Sequence, residues 1–334
     1  MKRLLIILLA GLLLLTTIGG CAPKEETPIG MAVEFNAHAA CAYISQDKWW
    51  FEEEGLKLAP YESYVTGMAL AAALVKGDIE VAYICLIPAI NAYANAGVPI
   101  KIVAGTHKYG YGLVVDPEKI KTVKDLEKPG IRLGCIREGG AVDVLMHRMI
   151  DKYNLDEDKI LANVQRMDPS KQLLAIKMGQ LDAGFLPEQW ATMAEGFGFN
   201  MLLTGQDIWP EMQGSVLVVK QGLIDNHPEV VKELVKVTQK ATDWLNKHPD
   251  EAAEIMARQL QASAGGFPSD APEGVSELEI TPEVMQKSMS RLEYTTSLDP
   301  TEVQATIDYI ATLGYIKKSF NAADILDLRF LEGK

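Results

Sequence analysis

The chain has 334 residues, of which 48% are hydrophobic and 23% are charged, a balance typical of a globular protein with one large or two medium domains. Its 32 lysine and arginine residues are outnumbered by 45 aspartate and glutamate residues, which gives a formal net charge of −13 at pH 7. This acidity argues against nucleic acid as a partner, because phosphate contacts need clustered lysine and arginine side chains.

The first twenty residues have the composition of a secretory signal peptide. Lys2 and Arg3 precede an apolar run at residues 4–18, which is shorter than the roughly 20 residues that a spanning helix needs. Two glycines and Cys21 follow, an ending that resembles a lipobox, in which the cysteine becomes the first residue and is lipidated. We predict a signal peptide at residues 1–20 and a body outside the cytoplasm, held to the membrane by lipid. An uncleaved anchor helix would display the same body.

The cysteines do not predict a disulfide framework. If Cys21 carries lipid at the start of a tether (21–30), then Cys41, Cys85 and Cys135 remain, and an odd number cannot pair fully. All three lie in or beside apolar segments, so we expect buried apolar fillers, with a reactive thiol as the alternative.

From residue 31 the chain alternates short apolar segments with helical ones. The first set has predicted strands at 31–36, 56–60, 79–84 and 100–104, separated by helices at 39–54, 67–76 and 88–96. Gly55, Gly77 and Gly97 follow these helices, as C-cap glycines do. Such alternation predicts parallel βαβ units with both sheet faces covered.

The alternation then repeats, and a helical region ends the chain. The second set has predicted strands at 131–135, 164–167, 182–186 and 201–203, and helices at 140–153, 169–178 and 187–195. The last third has predicted helices from Pro228, at 251–260 and at 301–313, with a Gly-, Ser- and Pro-rich loop at 261–281.

Two β-branched segments, 112–116 and 216–220, fall outside the βαβ rhythm. We interpret them as a pair of strands that cross between two lobes. Lobe one would then be residues 31–112 plus 214–334, and lobe two residues 113–213. The predicted fold class is α/β, with two lobes that each contain a mostly parallel sheet flanked by helices.

The motifs of common enzymes are absent from the sequence. There is no Gly-x-Ser-x-Gly elbow and no P-loop, and the sequence Gly196-Phe-Gly198 lacks the third glycine of a dinucleotide fingerprint. His38 and Cys41 have a helix-start spacing, but no second pair joins them. We therefore predict no cofactor and no metal, and expect a protein that is not an enzyme.

Strand-to-helix turns are the better candidates for a binding site. Ligands of open α/β sheets bind at the carboxyl ends of strands, where helix N-termini offer free N–H groups and a positive dipole end. Any single such turn is as often an ordinary cap, whereas several converging turns favour a site. The candidate residues in these turns are Asn36, His38, Tyr64, Thr66, Gly67, Cys85, Glu138, Gly139 and Gly140.

Aromatic residues at the ends of elements add a stacking surface. Besides Tyr64, we include Trp190 and Trp209 as ligand contacts, and Thr106 as a polar one. Trp49 and Trp50 fall within a predicted helix and are expected in the core.

The ordered set of segments resembles the periplasmic-binding-protein family that serves importers for nitrate, sulfonates, taurine and thiamine-precursor pyrimidines. The similarity runs from about residue 33 to 260. It is carried by segments whose order and spacing match, at 36–39, 51–56, 70–83, 88–92, 97–103, 123–126, 139–143, 179–183, 207–210 and 216–219.

The resemblance implies two lobes of the type II fold, joined by two crossing strands, with hinge closure on a ligand in the cleft. It implies that Asn36, His38, Thr66, Gly67, Cys85, Gly139, Gly140 and Trp190 face that cleft. Anion-binding members often have Ser or Thr after the first glycine, and Gly140 departs from that pattern. This weakens a simple sulfonate or nitrate assignment and leaves a heterocyclic ligand equally open.

The resemblance implies a substrate-binding protein that delivers a small polar or anionic solute to an ABC permease and its ATPase subunits. From the N-terminal residues we expect it to be lipid-anchored, and we expect a monomer. Two alternatives stay open. One is a secreted enzyme on the same fold, related to thiamine-pyrimidine synthesis. Such enzymes carry a clustered cysteine motif, which this chain lacks. The other is a ligand-sensing partner of a membrane receptor.

Overall fold

The structure is a computed structural model that describes residues 28–77, 79–264 and 279–331. The predicted signal peptide, Cys21 and most of the tether lie outside the described residues. Among those that are described, none belongs to a helix with the length and apolar character needed to cross a membrane.

The described elements follow the predicted alternation. The strands are β1 (Ile29–Glu34), β2 (Leu58–Tyr64), β3 (Val81–Cys85), β4 (Ile100–Tyr109), β5 (Tyr111–Val115), β6 (Leu133–Cys135), β7 (Val164–Arg166), β8 (Ala183–Pro187), β9 (Asn200–Thr204), β10 (Gln213–Lys220) and β11 (Leu292–Tyr294). The helices are α1 (Ala40–Asp47), α2 (Trp50–Glu53), α3 (Gly67–Lys76), α4 (Leu86–Ala96), α5 (Ala141–Tyr153), α6 (Glu157–Ala162), α7 (Pro169–Lys177), α8 (Glu188–Glu195), α9 (Gly205–Ile208), α10 (Gln221–Asn226), α11 (Pro228–Lys247), α12 (Pro249–Ala264), α13 (Pro282–Met289) and α14 (Pro300–Thr312).

The strands form two sheets, one in each lobe. The first has the order β11-β4-β10-β3-β1-β2, and the second has the order β7-β6-β8-β5-β9. In the first sheet β1 to β4 run in one direction, and in the second β6 to β9 do so. Among the strands described, β10 and the short β11 oppose the first set and β5 opposes the second.

The reversed strands β5 and β10 correspond to the two β-branched segments, 112–116 and 216–220, that do not follow the predicted strand–helix alternation. The chain passes from the first sheet to the second at Gly110, between β4 and β5. It returns between β9 and β10, through α9. The predicted crossing segments therefore lie just inside the two sheets, and the passages are short stretches beside them. The exact lobe boundaries stay a prediction.

The predicted helix at 39–54 is broken in the structure. Trp49 adopts a left-handed conformation with φ 60°, which ends α1 before α2 begins. Trp49 is 66% exposed, so its placement in the core was wrong. Trp50 is buried, with its ring edge-on to that of Trp244 at 6.0 Å between centroids, so one tryptophan of the pair faces the core.

The C-terminal helices pack mainly on the first lobe. Helices α11 and α12 contact α1, which confirms their predicted packing. Helix α12 continues to Ala264, into the predicted loop 261–281, and residues 265–278 lie outside the described part of the chain. Helix α13, which contacts α8 of the second lobe, was not predicted from the sequence. The C-terminal region thus touches both lobes.

A buried carboxylate joins three segments of the second lobe. Asp182, directly before β8, accepts hydrogen bonds from Arg132 Nε at 2.9 Å and Arg132 Nη2 at 2.7 Å, and it also contacts Lys119. The hydrogen bonds from Arg132 hold the pKa of this carboxyl well below its usual range. A carboxyl with a depressed pKa stabilises the fold above its unfolded pKa, and that stability is lost as the pH falls.

We predict that Asp182→Asn lowers the free energy of unfolding by about 1.5–3 kcal/mol at pH 7, because charge-assisted hydrogen bonds are lost. Urea unfolding at pH 7 and pH 3 tests this, since the difference from wild type should narrow below the ordinary aspartate pKa of about 4. The control is Asp243→Asn, on the exposed face of α11, which should change little. A difference that stays constant with pH would contradict the prediction.

Candidate functional site

A nearly closed cleft lies between the two lobes. The first lobe contributes Glu34, Thr66 and Cys85 to its wall, and the second contributes Tyr111 and Gly140. The enclosed space is about 20 Å³, which is room for roughly one water molecule. The structure therefore represents a closed arrangement of the lobes.

Hydrogen bonds across the cleft hold the lobes together. Gln189, at the start of α8, accepts a bond from Ala37 N at 3.0 Å and donates one to Phe35 O at 3.4 Å. Asn91 Nδ2 of the first lobe donates to Gly139 O of the second at 2.9 Å. The closed arrangement is thus stabilised by backbone groups of both predicted binding turns.

The turn after β1 places two of the predicted residues. Asn36 is buried and caps the short 3₁₀ turn at Ala37–Ala39, since its Oδ1 accepts from His38 N at 3.0 Å. Its Nδ2 donates to Glu34 Oε2 at 3.2 Å. A single buried asparagine therefore fixes both the turn and the carboxyl at the end of β1.

Glu34, His38 and Cys85 form a buried polar cluster at the floor of the cleft. Cys85 N donates to Glu34 Oε1 at 2.6 Å, and Cys85 Sγ donates to Glu34 Oε2 at 3.0 Å. His38 Nδ1 lies 3.7 Å from Cys85 Sγ, and the hydroxyl of Tyr111 lies 2.8 Å from the same sulfur. The side-chain donor atoms of Glu34, His38 and Cys85 all lie within 4.8 Å of one another, an arrangement that could hold a metal ion.

Burial shifts the pKa of every member of this cluster toward the neutral form. Desolvation raises the pKa of Glu34, partly offset by hydrogen bonds from Cys85 and Asn36. Desolvation lowers the pKa of His38 to about 4, against a smaller opposing effect of the bond to Gly110. Burial and the neighbouring Glu34 raise the pKa of the Cys85 thiol well above its ordinary value.

Five helices begin at the cleft wall. Their first or capping residues are Thr66, Cys85, Gly140, Pro169 and Pro187, for α3, α4, α5, α7 and α8 respectively. Of these five helices, only α3 has a side-chain cap, in which Thr66 Oγ1 accepts from Ala69 N at 3.2 Å. The N-terminal ends of helices from both lobes, with their positive dipole ends, therefore border the same space.

The second-lobe turn favours glycine at both of its positions, by backbone conformation at Gly139 and by crowding at Gly140. Gly139 has φ 74°, in the left-handed region, and its N donates to Asp143 Oδ2 at 3.0 Å. A Cβ at Gly140 would lie 2.8 Å from Ile136 Cδ1 and 3.1 Å from Arg137 O. A serine or threonine in place of Gly140 would therefore be crowded by atoms of its own lobe, which accounts for the absence of a side-chain hydroxyl at this position.

Other predicted site residues lie behind the wall. Thr106 is fully buried and donates from Oγ1 to His38 O at 3.4 Å, so it supports the cluster from beneath. Trp190 is buried against Phe35, with ring centroids 6.2 Å apart. Tyr64 ends β2 and donates to Glu62. The structure places none of the three among the residues that line the closed cleft.

Glu138 and Trp209 lie elsewhere. Glu138 is exposed and borders an open depression on the second lobe, where it pairs with Arg166 at 3.8 Å. Trp209 is buried beside the return passage, with its ring edge-on to Tyr309 and the Arg148 guanidinium 5.1 Å from its centroid. These two positions are separate from the cleft wall.

Sequence reasoning missed Glu34, Gln189 and Asn91. Glu34 had a visible signal, because it is the one charged residue in the predicted strand 31–36. Gln189 and Asn91 lie within predicted helices and had none. His38 and Cys41 have a helix-start spacing in the sequence, but the histidine faces Cys85, 47 residues away, because β1 and β3 are neighbours in the sheet.

Comparison with known proteins agrees with this architecture. The profile of the NMT1-like family matches residues 22–261, more than half of the chain, and the chain belongs to this family. A protein of Brucella abortus named as a binding protein is 26% identical over 274 residues, covering 80% of this chain and 82% of that protein. A protein of Bacillus subtilis named as an aliphatic sulfonates-binding protein is 24% identical over 266 residues, covering 76% of this chain and 77% of that protein.

The fold is confirmed by similarity to a solved structure. The alkanesulfonate-binding protein of Xanthomonas axonopodis pv. citri bound to MOPS superposes with a TM-score of 0.73 at 17% identity. The match covers 90% of this chain and 98% of that one. The chain therefore has the predicted two-lobed periplasmic-binding-protein fold.

We predict that Gly67→Ala destabilises the protein by about 1–3 kcal/mol, because an added Cβ would lie 2.5 Å from Glu34 Oε1 and 2.8 Å from Pro88 Cγ. The matched control is Gly222→Ala, also in the first turn of a helix, where no heavy atom lies within 4 Å of the added Cβ. Thermal and urea unfolding of both variants provide the measurement. Equal stability of the two would show that the Glu34 carboxyl has room to move.

Proposed function

We propose that this member of the NMT1-like family is the substrate-binding protein of an ABC-type importer, and that it captures a small polar or anionic organic solute between its lobes. The observation that carries the proposal is the cleft, where helix N-termini of both lobes converge. Backbone N–H groups at such termini bind carboxylate, sulfonate or phosphate without needing a charged side chain.

The mechanism needs no covalent chemistry. In the open state, Ala37 N and Gly139 O are accessible to water. In the closed state they pair with Gln189 and Asn91 across the cleft. A solute that touches both lobes favours the closed state by the contacts that it makes only there. The permease would then receive the closed form.

The composition of the cleft supports an anionic head group joined to a less polar body. The five helix N-termini suit the anion, while Tyr111, Ile136 and Val142 provide apolar and aromatic surface. Aliphatic sulfonates, which the Bacillus subtilis relative is named for, fit this description, and so does an anionic heterocycle. The acidic exterior does not oppose such a ligand, because helix ends set the local potential.

The N-terminal residues support a location for the protein outside the cytoplasm, attached to the membrane. We propose that Cys21 is lipidated after signal-peptide removal and that the monomer acts outside the cytoplasm beside a permease and its ATPase subunits. The support is the short apolar run after Lys2 and Arg3, with a cysteine at its end. The alternatives are an enzyme and a ligand-sensing partner of a membrane receptor. A panel of solutes, each analysed for chemical conversion after incubation, distinguishes the enzyme from a binding protein.

We predict that one class of solute raises the unfolding temperature of the purified protein in a panel of sulfonates, nitrate, pyrimidines, flavins, carboxylates and amino acids. A ligand at 100 times its dissociation constant adds about 2.7 kcal/mol of stability. Recovery of the unchanged solute after incubation would support a binding protein. Chemical conversion of the solute would favour the enzyme, and no shift by any class would count against the cleft.

We predict that Gln189→Ala weakens binding of the solute identified in that panel by about 5- to 30-fold. The substitution leaves Ala37 N buried without an acceptor in the closed state, at a cost of about 1–2 kcal/mol, whereas water pairs with it in the open state. Calorimetry measures the affinity, and solution scattering measures closure.

The control for this variant is Gln180→Ala, on an exposed turn of the second lobe, which should bind as the wild type does. Equal affinity of Gln189→Ala and the wild type would mean that closure does not depend on this bridge.

A further inference from the structure

Three ionisable side chains are buried together at the floor of the cleft. Glu34, His38 and Cys85 are 2%, 1% and 5% exposed. In the described part of the chain, no lysine or arginine forms an ion pair with Glu34. A buried carboxylate is costly unless it is protonated or a cation compensates it. The cluster therefore needs either protons or a positive ion.

The orientation of His38 favours an ion. Its Nε2 lies 2.6 Å from Gly110 O, and because a carbonyl oxygen can only accept, Nε2 must carry the proton. The lone pair of Nδ1 then points to the cluster, 3.9 Å from Glu34 Oε2. Histidines that bind metals usually donate their other N–H to a carbonyl or carboxylate in this way, which fixes the ring and its tautomer.

The distances suit one tetrahedral ion. Cys85 Sγ lies 3.0 Å from Glu34 Oε2 and 3.7 Å from His38 Nδ1. Zinc bonds of about 2.3 Å to sulfur and about 2.0–2.1 Å to nitrogen and oxygen place tetrahedral ligand atoms roughly 3.3–3.6 Å apart. Shifts of about half an ångström would bring the three atoms to that spacing.

We propose that Glu34, His38 and Cys85 form a binding site for one zinc-class divalent ion. The mixed sulfur, nitrogen and oxygen donor set favours Zn²⁺ over Mg²⁺ or Ca²⁺. When the metal binds, the Cys85 proton and any proton on the Glu34 carboxyl leave to solvent, and the resulting thiolate and carboxylate together neutralise the two charges of the ion. Tyr111 and Ser215 hydroxyls, 2.8 and 3.6 Å from the sulfur, then donate to the thiolate.

The fourth coordination position faces the cleft. Glu34, Cys85 and Tyr111 all border that space, whereas His38 lies just behind it. A site with three protein ligands and one open position takes water or an anionic group of a ligand. Metal binding stands independently of the proposed function. Only the further step, in which the anionic group of a transported solute takes the fourth position, rests on the proposed function.

Zn²⁺ titration and Co²⁺ spectroscopy test the site, on purified protein freed of its affinity tag and treated with a chelator. We expect one equivalent of Zn²⁺ to bind, and Co²⁺ to give a thiolate charge-transfer band with tetrahedral d–d absorption. Cys85→Ser should lose the thiolate band and bind Zn²⁺ at least 100-fold more weakly, more than the 10–100-fold typical for losing an outer-shell partner.

The matched control is Cys135→Ser, another buried free cysteine, in the second lobe, which should keep both the band and the affinity. His38→Gln is the second variant, because its amide can still donate to Gly110 O while the Nδ1 ligand is removed. It should weaken Zn²⁺ binding even if Cys85→Ser does not fold, as judged by circular dichroism.

The outcomes separate the two proposals. Absence of Zn²⁺ binding, or a thiolate band that survives Cys85→Ser in folded protein, overturns the metal site and leaves a protonated hydrogen-bonded cluster. If a solute still raises the unfolding temperature of metal-free protein, the importer function stands without the metal. If Zn²⁺ binds as expected but no solute has any effect, the metal site stands and the proposed solute function fails.

Discussion

The hydrogen bond from His38 Nε2 to Gly110 O, 2.6 Å long, ties the first binding turn to the point where the chain leaves the first sheet. The passage has to be glycine there, because a Cβ at Gly110 would lie 2.7 Å from His38 Nε2. Gly214, on β10, makes room for His107 in the same way. The ring centroids of His38 and His107 lie 4.4 Å apart. Both connections between the lobes are therefore packed around histidines, and the orientation of the cluster depends on this packing.

The cleft combines two opposed electrostatic features. Helix N-termini make its walls favourable for an anion, while a buried carboxyl and thiol form its floor. Desolvation raises the pKa of both floor groups, so burial favours their neutral forms over their charged forms. A divalent ion on the floor would instead add positive charge toward the same space, so the two proposals favour ligands of the same sign.

The fold was largely predictable from the sequence, and the site only in part. Alternating apolar and helical segments with C-cap glycines are local patterns, which is why α3 was predicted at its exact bounds and β5 and β10 were recognised as exceptions. Asn36, Thr66, Gly67, Cys85 and Gly140 lie at element ends, so their position on the wall also followed from local signals. The partnership of His38 with Cys85, the bridge through Gln189 and the remoteness of Trp209 depend on tertiary neighbours, which no single-sequence pattern reports. The composition of residues 39–54 favoured a continuous helix and did not indicate the break at Trp49.

The insertion of one lobe into the other has a consequence for the order of assembly. All strands of the second sheet come from one continuous stretch between the two passages, so that sheet has its full set of partners once the chain has been made through β9. The first sheet does not, because β10 lies between β3 and β4, and Ser215 pairs with Cys85, 130 residues earlier. During synthesis, the facing edges of β3 and β4 stay unpaired until β10 has been made, and such long-range pairing is slow. The inserted lobe is therefore the natural first folding unit, and the floor of the cleft is among the last parts of the molecule to form.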